Sequence, residues 1–187
     1  RTAGGGQAVT QRMRDLGVEG INVDRPTVRL IADWAGWHLP PGDQLVPERW
    51  RAAARQTTPA QRDSARLSFD RDPRDTATPE GMALLLQKIW RAEAVSAQSK
   101  ELLLDIMTRS TTGELRIKGM LPAEVSVAHK TGTIGGTTND VGIIRLPDNA
   151  GNVVVAVFVK ASNAPTESRE RAIAQVSRAI YDYFLFR

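Results

Sequence analysis

Apolar positions along this chain recur first at helical spacing, then at strand spacing, then at helical spacing again. After the glycines at positions 4 to 6, Val9, Met13 and Leu16 share one helical face and Gly17 offers a stop, which predicts a short amphipathic helix. From Trp34 to Phe69 the periodicity weakens. Prolines cluster at 40, 41, 47 and 59, three of the four tryptophans occur, and arginines punctuate "PERWRAAARQ". This stretch reads as a long excursion holding one or two short helices, the first opened by Pro47 and the second by Thr58-Pro59. Regularity returns at "DTATPEGMALLLQKIWR", where Thr78 is an N-cap, Pro79 takes the first helical position, and Met82, Leu85, Leu86 and Ile89 make one apolar face. A second helix, at "SAQSKELLLDIMTR", is capped by Ser96 and is expected to turn Leu102, Leu103, Ile106 and Met107 inward. The two helices predict an αα-hairpin.

The period then shortens to that of strands. "VSVAHKTGT", "DVGIIRLPD" and "GNVVVAVFVKA" each predict one, and "DNAG" between the last two is a tight hairpin signal. The last strand is nearly all apolar, so both its faces should be buried. Such a strand belongs inside a sheet, yet only about three strands are available, so another chain or a further segment is expected to pair with its free edge. Ile173, Val176, Ile180, Tyr183 and Phe184 form a stripe that predicts a final helix, from about Thr166 to Phe184, lying across the sheet. Helices, then an antiparallel sheet, then a covering helix make an α+β architecture.

Composition narrows the possible functions. With 187 residues, 41% hydrophobic and 25% charged, the chain suffices for one globular domain with a sizeable core. The net charge of +4 invites a nucleic-acid reading, but the arginines are scattered and aromatic residues are few, so no nucleic-acid partner is expected. No run of about 18 apolar residues occurs, so no membrane span is expected. Without cysteine there are no disulfides, cysteine zinc sites or thiol catalysis. The two histidines, His38 and His129, lack metal-ligand spacing, so neither a metal nor a cofactor is expected. The chain begins "RTAGGG" without a methionine, which raises the expectation of an upstream segment.

The candidate chemistry lies in "HKTGTIGGTTND", positions 129 to 140. A strand lysine followed by Thr and Gly puts an ammonium and a hydroxyl on one line, where the glycine lets a substrate approach the backbone. The N–H of Thr133 can then face a developing oxyanion. As a bare tripeptide KTG is a weak signal, and an ordinary strand end is the commoner reading. Its context decides: "GGGQAVTQRMRDLG", "DPRDTATPEGMALLLQKI", "STTGELRIKGMLPAEVSVAHKTGTIGGTTNDVGII" and the closing "VVVAVFVKA" with its helix follow a known order. In that order the chain resembles the class A β-lactamases of the penicillin-recognising serine hydrolase superfamily, over nearly its whole length outside the excursion.

The resemblance implies a β-lactamase/transpeptidase-like fold in which these strands are the last three of a five-stranded antiparallel sheet. Residues 1–187 would then be the C-terminal portion of one domain, with an insertion at about 33–69. It implies hydrolysis of β-lactam amide bonds through a serine acyl-enzyme. The small-molecule partner would be a β-lactam or an acyl-D-Ala-D-Ala-like compound, and the location periplasmic or secreted. Lys130 and Thr131, with Gly132 beside them, would line the site and attract the substrate carboxylate. Thr133 would give its N–H to the oxyanion hole and its hydroxyl to that carboxylate. Arg116, in "TTGELRIKG", falls where some members place a guanidinium behind the lysine; the competing reading is a solvated surface arginine. His129 and Asn139 read as structural.

The departures from the family pattern are as informative. Neither S-x-x-K nor S-D-N occurs in these residues, so an N-terminal segment or chain carrying both is expected to complete the site. At "NVDRPTVRLIADW" the family's Ω-loop residues are matched by Arg25, and Asp75 matches the carboxylate that closes the loop. The glutamate position falls on Thr27 and the asparagine position on Ile31. The loop is roughly thirty residues longer than usual, well past ordinary connections. Glu48 is either a substitute base folded back from that loop or a surface glutamate at a helix start. Three classes of function stay open: a serine β-lactam hydrolase, a slowly deacylating penicillin-binding or peptidase-like relative, and a silent scaffold whose tryptophan-bearing excursion is a contact surface.

Overall fold

The structure, a computed structural model, describes residues 4–39 and 46–187, so Pro40 and Pro41 of the excursion and the first residues of "RTAGGG" lie outside the described residues. The chain divides into two units, Arg1–Ala77 and Thr78–Arg187.

In the first unit, α1 (Gly6–Asp15) stops as expected. Gly17 takes a φ of 68° and donates its N–H to Arg14, while Val18 donates to Met13 at 2.8 Å, so the last carbonyls are satisfied as the chain leaves left-handed. A helix absent from the sequence reading follows, α2 (Thr27–Ala35), opened by Pro26 and ended by Gly36 at a φ of 71°. The excursion then holds the two helices its prolines announce, α3 (Pro47–Gln56) and α4 (Pro59–Arg71). Thr58 caps α4 reciprocally with Gln61. α4 packs on α2, and Gly36 sits so close to it that a Cβ would lie 3.1 Å from Ala65 Cβ. The unit closes on itself through an Ile21–Ala77 bridge and the bond from Asn22 N–H to the Thr76 carbonyl at 2.9 Å.

In the second unit, β1 (Val127–Ile134), β2 (Thr137–Arg145) and β3 (Asn152–Val159) form an antiparallel sheet in the order β1-β2-β3. Gly135, at a φ of 52°, begins the two-residue turn joining β1 to β2. Asp148 and Asn149, both left-handed, turn the chain into β3 within the predicted "DNAG". One face of the sheet, with Val127, Ile144, Val153 and Val155, packs on α7 (Thr166–Leu185). The other, with Ala128, Val141, Ile143 and Val154, packs on α5 (Pro79–Trp90) and α6 (Ala97–Thr108). Both faces of β3 are thus covered, as its composition requires, while its outer edge has no strand partner among the described residues.

Three details differ from the sequence reading. α7 buries Ile173, Ala174, Ser177 and Tyr181, so Val176, Tyr183 and Phe184 of the expected stripe are exposed. The small polar Ser177 sits at the centre of the true seam, which is why apolar periodicity pointed elsewhere. α6 likewise turns Leu103, Leu104 and Met107 toward the sheet and leaves Leu102 and Ile106 exposed. Finally, α5 lies chiefly on β3 and α6 on β1, so both helices pack on the sheet rather than forming a self-contained hairpin.

Candidate active-site wall on strand β1

Strand alternation sorts the motif residues. His129, Thr131 and Thr133 point to the α7 face, and Ala128, Lys130 and Gly132 to the other. The turn closes on the hydrogen-bonded pair Ile134–Thr137, so the next pair inward, Thr133–Thr138, does not exchange bonds. The main-chain groups of Thr133 and Thr131 therefore face the free edge of β1. The Lys130 ammonium folds onto that edge and donates to the Thr131 carbonyl at 2.6 Å. The Thr131 hydroxyl bonds that of Thr112 at 2.8 Å.

Arg116 is not a surface arginine. It precedes the 3-10 turn Ile117–Met120, and its side chain is 7% exposed. It donates to Glu170 of α7 at 3.1 Å, to the Asn139 carbonyl at 2.8 Å, to the Gly132 carbonyl at 3.3 Å and to the Thr133 hydroxyl at 2.7 Å. Because the Thr133 oxygen accepts from a guanidinium, its own proton is left to donate outward. The β1 edge so carries an ammonium, two hydroxyls and an outward N–H: donors suited to a carboxylate and an oxyanion. Gly132 has no packing reason to be glycine here, since an added Cβ would meet only Asn139 Cβ at 3.8 Å and its amide nitrogen at 3.9 Å, ordinary contacts.

Behind the motif lies a buried pair, of which the sequence points only to His129, and to that only as structural. His129 and Asp140 are both 0% exposed. The His129 Nδ1–H donates to the Asp140 carboxylate at 2.9 and 3.0 Å, and a carboxylate oxygen also accepts the Ile117 N–H at 3.2 Å. The signal was Gly142 on β2. It stands opposite His129, and a Cβ there would come within 2.8 Å of the histidine Cβ and 2.5 Å of the Ala128 carbonyl oxygen.

In the first unit, Arg25 and Asp75 meet as the loop pattern anticipates. The Arg25 side chain, 8% exposed, bonds Asp75 and Asp33 at 2.6 Å each and Asp72 at 2.9 Å. Burial disfavours the charge on Asp75, but the N–H groups of Asp24 and Arg25 and the Arg25 guanidinium outweigh it and hold its carboxyl below the ordinary value. Arg74, hydrogen-bonded to Asp72, lowers that carboxyl strongly, although burial opposes the shift. Asp33 and Asp72 were not foreseen as members of this cluster. Thr27 is the first residue of α2, Ile31 is exposed on the same helix, and Glu48 is exposed in the first turn of α3. Among the described residues no group of His, Cys, Asp and Glu could hold a metal ion, and no helix is long and apolar enough to cross a membrane.

A family model described as the beta-lactamase enzyme family matches residues 1–184. The chain belongs to this family. It is 44% identical over 112 residues to the extended-spectrum beta-lactamase PER-1 of Pseudomonas aeruginosa, an alignment covering 57% of this chain and 36% of that protein. It is 35% identical over 109 residues to the carbapenem-hydrolyzing beta-lactamase KPC of Klebsiella oxytoca, covering 57% and 37%. Among solved structures, the ancestral GNCA class A beta-lactamase superposes with a TM-score of 0.71 at 30% identity, over 97% of this chain and 56% of that one. The TLA-1 extended-spectrum beta-lactamase gives 0.72 at 27% identity, over 97% and 55%. This β-lactamase-family chain thus has the class A α+β fold and spans roughly half the length of those structures and less of the curated relatives.

Proposed function

We propose that the chain supplies the substrate-binding wall of a serine β-lactamase-type hydrolase, which opens β-lactam amide bonds through an acyl-enzyme. The observation that carries this reading is the row of outward donors on β1, backed by the buried Arg116. Lys130, Thr131 and Thr133 hold the substrate carboxylate, the Thr133 N–H stabilises the oxyanion, and Gly132 leaves room for the acyl group. A segment or chain bearing S-x-x-K and S-D-N supplies the nucleophile and its proton path. Residues 1–187 act as the C-terminal portion of a single domain carrying an insertion at about 33–69, and the protein works in the periplasm or outside the cell. Its partner is a β-lactam or an acyl-D-Ala-D-Ala-like compound.

A second reading, slow deacylation, is favoured by one observation: α2 opens on Thr27, which cannot act as a general base near neutral pH, a role worth about 10²- to 10⁴-fold. A fluorescent penicillin added to the complete protein tests both. Covalent labelling supports the hydrolase-type site, and absence of label leaves only a silent scaffold. Release within seconds supports a β-lactamase, whereas a long-lived adduct by mass spectrometry supports a penicillin-binding relative. Lys130→Ala should slow acylation about tenfold or more, since charged hydrogen bonds to a carboxylate contribute about 1.5–3 kcal/mol. An unchanged rate with a carboxylate-bearing substrate rejects the assignment of Lys130.

A further inference from the structure

The buried pair behind β1 joins three pairs of consecutive residues. Arg116 reaches the Asn139 carbonyl while its neighbour Ile117 donates to the Asp140 carboxylate. Asp140 in turn accepts from His129, whose neighbour is Lys130. So residues 116–117, 129–130 and 139–140 are tied into one frame, and each pair contributes one group to the donor row or its backing and one to the buried link. His129 and Lys130 point to opposite faces of β1, so fixing the histidine side chain fixes the rotation of the strand and with it the direction in which Lys130 leaves. A fully buried carboxylate that accepts from two N–H groups, the Ile117 amide and the shared His129 Nδ1–H, has one favourable arrangement, because any rotation leaves a charge unsatisfied. The absence of a Cβ at Gly142 leaves room for the His129 Cα and Cβ opposite it. Lys130 itself is exposed and is tied only to the Thr131 carbonyl beside it, which does not fix the rotation of the strand.

We propose that His129 and Asp140 are positioning residues of the anion site: they act through Lys130 and Arg116 and set how well the enzyme recognises a substrate carboxylate. The proposal rests on the function proposed above, and its test separates the two. In the complete protein, His129→Ala and Asp140→Asn should lower the acylation rate of a carboxylate-bearing penicillin by about ten- to a hundredfold, the scale of a misplaced binding group. The methyl ester of the same penicillin, which gives the site no anion, should change by no more than about twofold. His129→Asn, whose side-chain N–H can stand in for Nδ1–H, should recover most of the loss. An equal loss on acid and ester, or no loss in a folded variant, overturns the proposal. Should Asp140→Asn fail to fold, His129→Asn against His129→Ala decides alone. Nitrogen-15 spectra add a readout that needs no chemistry: the Arg116 Nε–H and Lys130 amide signals should move in His129→Ala and return in His129→Asn. Signals that stay put in His129→Ala overturn positioning even if the protein never acylates, whereas unlabelled wild-type protein with moving signals overturns only the function.

Discussion

A single hydroxyl shows how the site is built. Thr131 is held from behind by Thr112, and the chain between Thr112 and Arg116 turns through Gly113 at a φ of 74°. A Cβ on Gly113 would lie 2.4 Å from the Thr131 methyl, and its backbone conformation would also be strained. Gly113→Ala therefore has two penalties at one point, overpacking of about 1–3 kcal/mol and a left-handed alanine. In the complete protein it should lower the melting temperature by several degrees and slow acylation of a carboxylate-bearing penicillin, because Thr131 is the atom group that must move. Calorimetry with single-turnover acylation checks this. Unchanged melting and acylation together would mean that the loop relaxes freely and Thr131 is not held by it.

At the scale of elements, legibility follows from whether a local rule or a tertiary contact decides the outcome. α3, α4 and α5 were legible because proline in the first helical turn, joined in α4 and α5 by a threonine cap, acts locally. The strands were legible from their period, and the KTG residues from their place on one. α2 was not, since its start carries no side-chain cap and its sequence was read as loop. The faces of α6 and α7 were not, because a buried Ser177 and an exposed Leu102 are set by the sheet they meet. The Arg25 cluster was half legible: Asp75 came from the loop pattern, whereas Asp33 and Asp72 join it only through folding. That cluster makes a prediction about acid. Asp72 and Asp75 have lowered carboxyl values in the folded state, so their stabilisation is complete above the unfolded value of about 3.9 and is lost as pH falls toward the lowered ones. As pH falls from about 4 toward those lowered values the neck of the first unit should progressively open, read as exposure of Trp34, Trp37 and Trp50 by fluorescence quenching. Arg25→Ala should open it at neutral pH, at about 3–5 kcal/mol, by leaving a buried carboxylate unpaired. Quenching that is flat with pH and equal in Arg25→Ala would show that the cluster does not hold the loop.

At the scale of the whole molecule, the sheet sets the solution behaviour of the 187 residues. β3 reads "NVVVAVFV", both its faces are covered, and yet its outer edge has no partner among the described residues. A row of free N–H and C=O groups along an apolar strand is a template for pairing with any extended chain. Val176, Tyr183 and Phe184 on α7, and Leu102 and Ile106 on α6, add exposed apolar surface in the same unit. Hydrogen bonding along the edge and burial of these side chains both favour association, and the net charge of +4 is too small to oppose it. Residues 1–187 expressed alone should therefore be insoluble, or molten with weak near-ultraviolet dichroism and strong binding of an apolar dye. Co-expression with a segment that adds strands to the β3 edge should restore a sharp melt and abolish dye binding. A two-state, monomeric melt of residues 1–187 by themselves would show that the β3 edge is tolerated and that this half of the fold is an independent folding unit.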